Sequence, residues 1–170
     1  MRILPILIGI AFFCCISIAA ADEPAIGFVK DVNGASFIER NKLRMPVKVK
    51  DRLIEKDILI TGLGGSMVII LQDNSTISVG SNTRLVLSKF LFEPADKKSS
   101  FIAQVKKGTV VYFAGLIAKL NQNGVKFETG NAVCGIRGSH AAVKVEPRGW
   151  INQWIEEMDL IFFPIFQTSE

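Results

Sequence analysis

Cysteine and histidine are scarce in this chain of 170 residues, which limits the covalent chemistry that it could perform. His140 is the only histidine, and Cys134 is the only cysteine outside the apolar N-terminal segment. A thiolate nucleophile with an imidazole base could therefore come only from this pair. No oxyanion-hole loop or orienting acid accompanies it in the sequence. We therefore predict a buried cysteine, a surface histidine and no enzyme, with a Cys/His hydrolase as an alternative.

Metal and phosphate sites also lack the residues that they require. One histidine and one cysteine cannot complete a tetrahedral zinc site, so we predict no bound metal. The glycine-rich segment at 62–65 lacks the lysine and the helix of a phosphate-binding loop, and no cofactor is predicted. Sugar hydrolysis would need a pair of acidic residues, and we expect the adjacent acids Glu156 and Glu157 to be solvated.

A local excess of positive charge is the clearest candidate for binding. The chain has 20 basic and 16 acidic residues, so its net charge of +4 is only weakly basic. The excess lies in a short stretch that contains Arg40, Lys42, Arg44, Lys48, Lys50 and Arg52. We predict that Lys48, Lys50 and Arg52 form a binding surface for an anionic polymer, lipid headgroups or an acidic partner. Few aromatic residues lie near them, which argues against nucleic acid.

The same stretch has a simpler structural interpretation. Apolar and basic residues alternate over residues 47–50. This alternation predicts a half-buried strand whose lysines point into solvent.

The elements that would position these residues are strands. From residue 27 to residue 145 the apolar pattern has a period of two or comes in short runs, with turn residues about every eight to twelve positions. No helical periodicity interrupts it, so we predict one all-β domain. Asn33-Gly34 predicts a two-residue hairpin between strands at 26–32 and 35–40.

Later turns predict further pairs of strands. Asp73-Asn74 predicts a hairpin between strands at 66–71 and 76–79, because both side chains tolerate positive φ. Strands at 101–105 and 109–113 are expected to pair around Lys106-Lys107-Gly108. Additional strands are predicted at 84–87, 124–129 and 140–145.

The two ends of the chain differ from this domain. Arg2, an apolar run at 3–18 and three alanines at 19–21 predict a signal peptide that is cleaved after Ala21, with an uncleaved anchor as the alternative. We therefore assign residues 1–21 to the signal peptide and 22–146 to the domain, and expect a periplasmic or secreted protein. Trp150, Trp154, Met158 and Ile161 share one helical stripe in an atypical tail at 147–170. That tail is expected either to pack on the domain or to dock on a partner or membrane surface.

Two clusters of residues go beyond a general β pattern. The first runs from the Asp57–Gly62 turn through the strands around Asp73-Asn74-Ser75 to residue 87. The second runs from residue 105 to the closing segment Thr129-Gly130-Asn131-Ala132-Val133-Cys134-Gly135-Ile136-Arg137-Gly138-Ser139. In order and spacing, they resemble the FecR domain. The resemblance covers about residues 27–145, and the tail after Pro147-Arg148-Gly149 matches nothing in it.

The resemblance implies a fold and a set of structural residues. The fold would be a flattened β-solenoid or a β-sandwich. Seven residues would be its structural signature: Asp57, Thr61, Gly62, Asp73, Gly135, Arg137 and Gly138. The glycines would sit where a Cβ is not tolerated. Asp73 would hydrogen-bond its own turn, and Arg137 would pair with a buried acid such as Asp57, Asp73 or Glu128.

The resemblance also implies a class of function. Free-standing exported members of this family are expected to bind or sense an envelope protein or an anionic polysaccharide, without catalysis. The alternative is a signal-relay partner in a cell-surface system of sigma factor and receptor. After signal cleavage, no transmembrane helix is expected to remain.

Overall fold

The computed structural model describes residues 23–94 and 98–146, which form a twelve-stranded sheet and one short helix. The strands are β1 (Ala25–Asn33), β2 (Ser36–Arg40), β3 (Leu43–Pro46), β4 (Arg52–Ile54), β5 (Ile58–Thr61), β6 (Ser66–Leu71), β7 (Thr76–Val79), β8 (Arg84–Leu91), β9 (Ser100–Phe113), β10 (Val125–Glu128), β11 (Val133–Ile136) and β12 (His140–Val145). The helix is α1 (Leu116–Leu120). The predicted all-β domain is confirmed. The predicted signal peptide and tail lie outside the described residues.

The long strand β9 divides the structure into two sheets that share it. Sheet I has the order β3-β2-β5-β8-β9-β10-β11 and uses the first part of β9. Sheet II has the order β4-β1-β6-β7-β9-β12 and uses the last part. Every pair is antiparallel except β9 with β10. The described residues therefore form a curled antiparallel sheet rather than stacked parallel coils.

The bend in β9 allows both sheets to face one core. A straight strand would separate Phe101 from Tyr112 by roughly 36 Å, whereas their ring centroids are 6.3 Å apart. Near the bend, Gly108 has a φ of +91°, and a Cβ there would lie 2.5 Å from the Cα of Thr83. The hairpin that we predicted around Gly108 is therefore wrong, because this glycine bends one strand without reversing it.

The turn at Asn33-Gly34 has a different role from the one predicted. Gly34 has the expected positive φ of +63°. However, β1 pairs with β4 and β6, while β2 pairs with β3 and β5. This turn therefore carries the chain from sheet II to sheet I and does not close a hairpin. The second predicted hairpin is confirmed, because β6 pairs with β7 across Asn74 at a φ of +64°.

In several strands, buried side chains that form the core alternate with partly exposed ones. In β6, for example, Met67, Ile69 and Leu71 are buried while the residues between them are not. Phe127 lies 5.9 Å from Phe101 and 5.6 Å from Tyr112 between ring centroids, at edge-to-face angles. Such aromatic pairs add about 1 kcal/mol each to the free energy of burial. The two sheets are thus joined by one continuous apolar core.

Candidate functional site

A basic cleft lies where the chain passes from the edge of sheet I to the edge of sheet II. Strand β3 is one edge of sheet I, β4 is one edge of sheet II, and the loop at 47–51 connects them. The cleft has a volume of about 580 Å³. It is lined by Ile38, Arg40, Met45, Pro46, Lys48, Lys50, Asp51 and Arg52. The three residues predicted as a binding surface therefore share one concave site, and we call it the basic cleft.

The loop at 47–51 is a turn and not the strand that we predicted. Lys50 has a φ of +74°, a left-handed conformation outside the range of regular β-strands. The backbone N–H of Lys50 donates to the Val29 carbonyl at 2.8 Å, and Val29 donates back to the Asp51 carbonyl at 3.0 Å. The carboxylate of Asp51 accepts from the Lys48 N–H at 2.7 Å. These bonds fix the loop on β1, so the lysines extend from a well-defined backbone.

Behind the cleft, Arg40 forms a two-pronged ion pair with Asp57. Arg40 Nε donates to Asp57 Oδ1 and Nη2 donates to Oδ2, both at 2.8 Å. Nη2 also donates to the Arg52 carbonyl at 3.0 Å, and Oδ2 accepts from the Ile54 N–H at 2.9 Å. The hydrogen bond with Asp57 raises the pKa of Arg40. Because Arg40 neutralises a fully buried carboxylate, its charge holds the cleft together more than it attracts a ligand.

The other charged residues of the cleft determine which kind of ligand it favours. Lys48, Lys50 and Arg52 are exposed, and Asp51 is the acidic residue among them. Arg44 belongs to the same stretch but lies on sheet I, with its guanidinium carbon 4.2 Å from the centroid of the Phe37 ring. Only part of the basic stretch thus faces the cleft, and that part favours an anionic group.

Thr61 and Gly62, two of the signature residues, lie at the end of β5 and in the turn that follows it. Thr61 is buried, and its hydroxyl donates to the Gly80 carbonyl and accepts from the Thr83 N–H. A Cβ on Gly62 would lie 3.2 Å from the Cβ of Ala35, a tight approach that glycine avoids. Both residues therefore have an architectural role beside the corner between the sheets.

Asp73 is buried in a second polar cluster, which we call the Asp73 network. Its carboxylate accepts from the N–H of Ser75 at 3.0 Å, from the Ser75 hydroxyl at 2.7 Å and from the N–H of Ile117 at 3.2 Å. The Ser75 oxygen also lies 3.0 Å from the Tyr112 hydroxyl and accepts from the Gly115 N–H. The turn at Asp73 thus anchors α1, a helix of five residues that is too short for periodicity to reveal.

The closing segment differs from its predicted arrangement. Arg137 is exposed, and its Nη2 donates to Gln122 Oε1 at 3.0 Å. The predicted pairing with Asp57, Asp73 or Glu128 is therefore wrong, since the first two carboxylates are satisfied by other groups. Gly135 has open space where a Cβ would stand, so our steric explanation for it is also wrong. Gly138 lies in the bend between β11 and β12.

Cys134 and His140 are not arranged as a catalytic pair. Cys134 is buried in β11, where burial raises the pKa of its thiol and disfavours the thiolate. His140 begins β12, and its Nδ1 lies 2.9 Å from the Ser139 hydroxyl. In the described ranges no hydrogen bond joins the two side chains, and no cluster of three metal-ligating residues occurs.

The model of the family described as FecR protein matches residues 57–150. The chain belongs to the FecR family. Within the match lie the Asp73 network and the closing segment, whereas Lys48, Lys50 and Arg52 precede it. This membership fits a role in cell-envelope signalling or binding.

Comparisons with curated proteins and with solved structures do not extend the family assignment. None of the curated proteins compared with this FecR-family chain matches it. One solved structure, a "Cell surface anchoring domain", is 24% identical over 36% of this chain and 82% of its own, with a TM-score of 0.35. Within residues 23–94 and 98–146, no helix is long and apolar enough to cross a membrane.

Proposed function

We propose that this FecR-family protein is a non-enzymatic binding module of the periplasm that captures an anionic envelope partner in the basic cleft. The observation that carries the proposal is the convergence of Lys48, Lys50 and Arg52 on one concave site. Partners of this kind include an acidic polysaccharide and an acidic segment of an envelope protein. The predicted signal peptide supports the periplasmic location.

The cleft combines a rigid frame with adaptable charges. The pair of Arg40 with Asp57 and the bonds of the loop at 47–51 fix the backbone, so little ordering is required when a partner binds. The exposed charges chiefly increase the rate of encounter and contribute weak affinity. Their attraction is screened over about 8 Å at physiological ionic strength, so binding should weaken as salt is added.

A signal-relay role is the second candidate, and family membership favours it. In that case the cleft would receive an acidic segment of a receptor or of a membrane-anchored partner. A relay partner would recognise one sequence of side chains, whereas a polymer-binding module would bind any chain of matching charge spacing. Competition between the two kinds of polyanion distinguishes these roles.

Charge removal at the cleft tests the proposal directly. Lys48, Lys50 and Arg52 are replaced together by Gln, and binding to polygalacturonate and to polyglutamate is measured at several salt concentrations. A matched variant replaces Lys89, Lys106 and Lys126, which are exposed on sheet I, so that the same charge is lost elsewhere. We expect the cleft variant to lose most of its binding at low salt and the matched variant to retain it. Equal loss of binding in the two variants would show that only the net charge matters, and it would exclude the basic cleft as the binding site.

Two further measurements test the location and the absence of catalysis. After expression in a Gram-negative host, the protein should appear in the periplasmic fraction with Asp22 at its N-terminus. An intact Met1 in the membrane fraction would contradict this.

Cys134→Ala should leave binding unchanged, because the thiol is buried away from the cleft. A measured turnover that this substitution abolishes would identify an enzyme instead.

A further inference from the structure

The outer face of sheet II carries a continuous row of side chains that begins at the basic cleft. Strand pairing aligns Arg52 with Phe28, Phe28 with Ile70, Ile70 with Thr76, Thr76 with Phe113, and Phe113 with His140. Directly paired residues of antiparallel strands point to the same face. The row therefore crosses all six strands of the sheet, with Arg52 at one end and His140 at the other.

Both phenylalanines of this row are exposed to solvent. Phe28 keeps 43% and Phe113 keeps 49% of its surface in solvent. Three strand spacings separate them, a distance of roughly 14 Å. The two phenyl rings belong to an apolar patch on the outer face of sheet II, which we call the platform and which water solvates poorly.

The residues between the two rings carry no charge. Ile70 and Thr76 separate them within the row, and Val68, Ser78, Val111 and Ala142 form an adjacent parallel row. All of these side chains are partly exposed. Charge is confined to the border, where Lys30 and Asp31 lie on β1 and Lys144 lies on β12. The platform therefore offers aromatic rings, small side chains and hydroxyl groups, with positive charge where it meets the cleft.

We infer that the anionic partner is an acidic polysaccharide, which lies across sheet II with sugar rings on Phe28 and Phe113 and an acidic group at Arg52. This inference rests on the proposed function and names the ligand class of the same site. The C–H groups on one face of a sugar ring carry a partial positive charge and pack against the negative face of an aromatic ring. The Thr76 residue lies between the rings and Ser78 lies in the adjacent row, and sugar hydroxyls can exchange hydrogen bonds with both hydroxyls.

A protein partner fits this platform less well. Energetically dominant residues at protein interfaces are mostly Trp, Tyr and Arg, whereas Ser, Thr and Val rarely dominate. Here Thr76, Ser78, Val68 and Val111 occupy the centre. A membrane surface would favour basic residues around the whole platform, whereas at the edge opposite Arg52 the charge of Lys144 is paired with Glu146 at 3.0 Å. An elongated ligand with apolar ring faces and regular acidic groups matches both features.

The test separates ring contacts from charge contacts. Phe28→Ala and Phe113→Ala are titrated against polygalacturonate as the acidic glycan, polyglutamate as the acidic peptide, and a neutral glucan. Phe28→Tyr and Phe113→Tyr keep the aromatic face, and Leu63→Ala removes an apolar side chain that is 94% exposed elsewhere. Thermal melting of each variant checks that the fold is intact.

We expect each alanine variant to lose about fivefold in affinity for polygalacturonate and to retain its affinity for polyglutamate. The tyrosine variants and Leu63→Ala should bind the glycan like the unaltered protein. Equal weakening toward both polymers would show that the rings do not select a glycan and would overturn the inference. Wild-type glycan binding by both alanine variants would also overturn it. In that outcome the proposed function survives if the Lys48, Lys50 and Arg52 variant still loses binding, and it fails if that variant binds normally.

Discussion

Asp57 and Asp73 are both completely buried, yet the protein compensates their charges in opposite ways. Asp57 meets the full positive charge of Arg40, whose side chain is 31% exposed at the cleft. Asp73 is satisfied by backbone N–H groups and a hydroxyl, with no cation among its hydrogen-bond donors in the described part of the chain. The first arrangement joins the core to a charged surface, whereas the second closes an interior turn. The contrast separates an aspartate that supports the wall of the cleft from one that supports the interior of the domain.

The largest effect should come from breaking the ion pair. Arg40→Met leaves the Asp57 carboxylate buried without its cation, which should lower the free energy of unfolding by about 3 to 5 kcal/mol in urea denaturation. The matched control is Arg84→Met, because Arg84 pairs with Glu39 at 2.9 Å but both side chains are partly exposed. That variant should lose less than about 1 kcal/mol. Similar losses of unfolding free energy in the two variants would show that the burial of Asp57 does not increase the contribution of its ion pair to stability.

The Asp73 network should respond somewhat less strongly. Asp73→Ala leaves the N–H groups of Ser75 and Ile117 without their acceptor, at a cost of about 3 kcal/mol in total. Amide exchange should show that α1 loses protection first, because the carboxylate connects the turn to this helix. Asp73→Asn retains one oxygen and should lose less. If α1 stayed protected in Asp73→Ala, the network would not be its anchor.

Alkaline titration tests the burial of Tyr112, whose hydroxyl belongs to the Asp73 network. Burial raises the pKa of Tyr112 from its ordinary value near 10 to about 12. Between these two pH values the unfolded chain releases the phenolic proton while the native protein retains it, so stability falls as pH rises. The loss should approach about 3 kcal/mol near pH 12 and should be absent in Tyr112→Phe. Tyr112 is the only tyrosine, so phenolate absorbance reports its titration directly, and an ordinary pKa would contradict the burial.

Each aspartate also has a left-handed neighbour, and the two neighbours should differ in strain. Lys56 precedes Asp57 with a φ of +69°, and Asn74 follows Asp73 with a φ of +64°. Lysine adopts this conformation at a cost of about 1 kcal/mol, whereas asparagine tolerates it. Lys56→Gly should therefore raise the melting temperature slightly, while Asn74→Gly should leave it nearly unchanged. A larger gain at Asn74 would mean that another contact sets the conformation of that turn.

The local sequence pattern predicted the positions of the strands better than it predicted which strands pair with each other. The bounds of β6, β7 and β12 follow from alternation alone. Asn33-Gly34, the stronger hairpin sequence, instead connects the two sheets, while Asn41-Lys42 closes the hairpin from β2 to β3 with φ values of +51° and +66°. A turn sequence determines local backbone angles, but packing in the core determines which strands are adjacent to each other. The same limit applies to the cleft, because sequence showed its charges but not the pairing of Arg40 with Asp57.

The smallest effect is expected at Arg137, the signature residue that neither aspartate uses. Its guanidinium is exposed and donates to Gln122, so Arg137→Ala should change the free energy of unfolding by less than about 0.5 kcal/mol. Gln122→Ala should be equally silent, because it removes the same surface hydrogen bond from the other side. Arg40→Met provides the contrasting value, since the same loss of a guanidinium there leaves a buried carboxylate without its cation. Urea denaturation of the three variants in parallel makes the comparison. A loss at Arg137 that matched the loss at Arg40 would mean that the closing segment carries a charge pairing like that of Asp57.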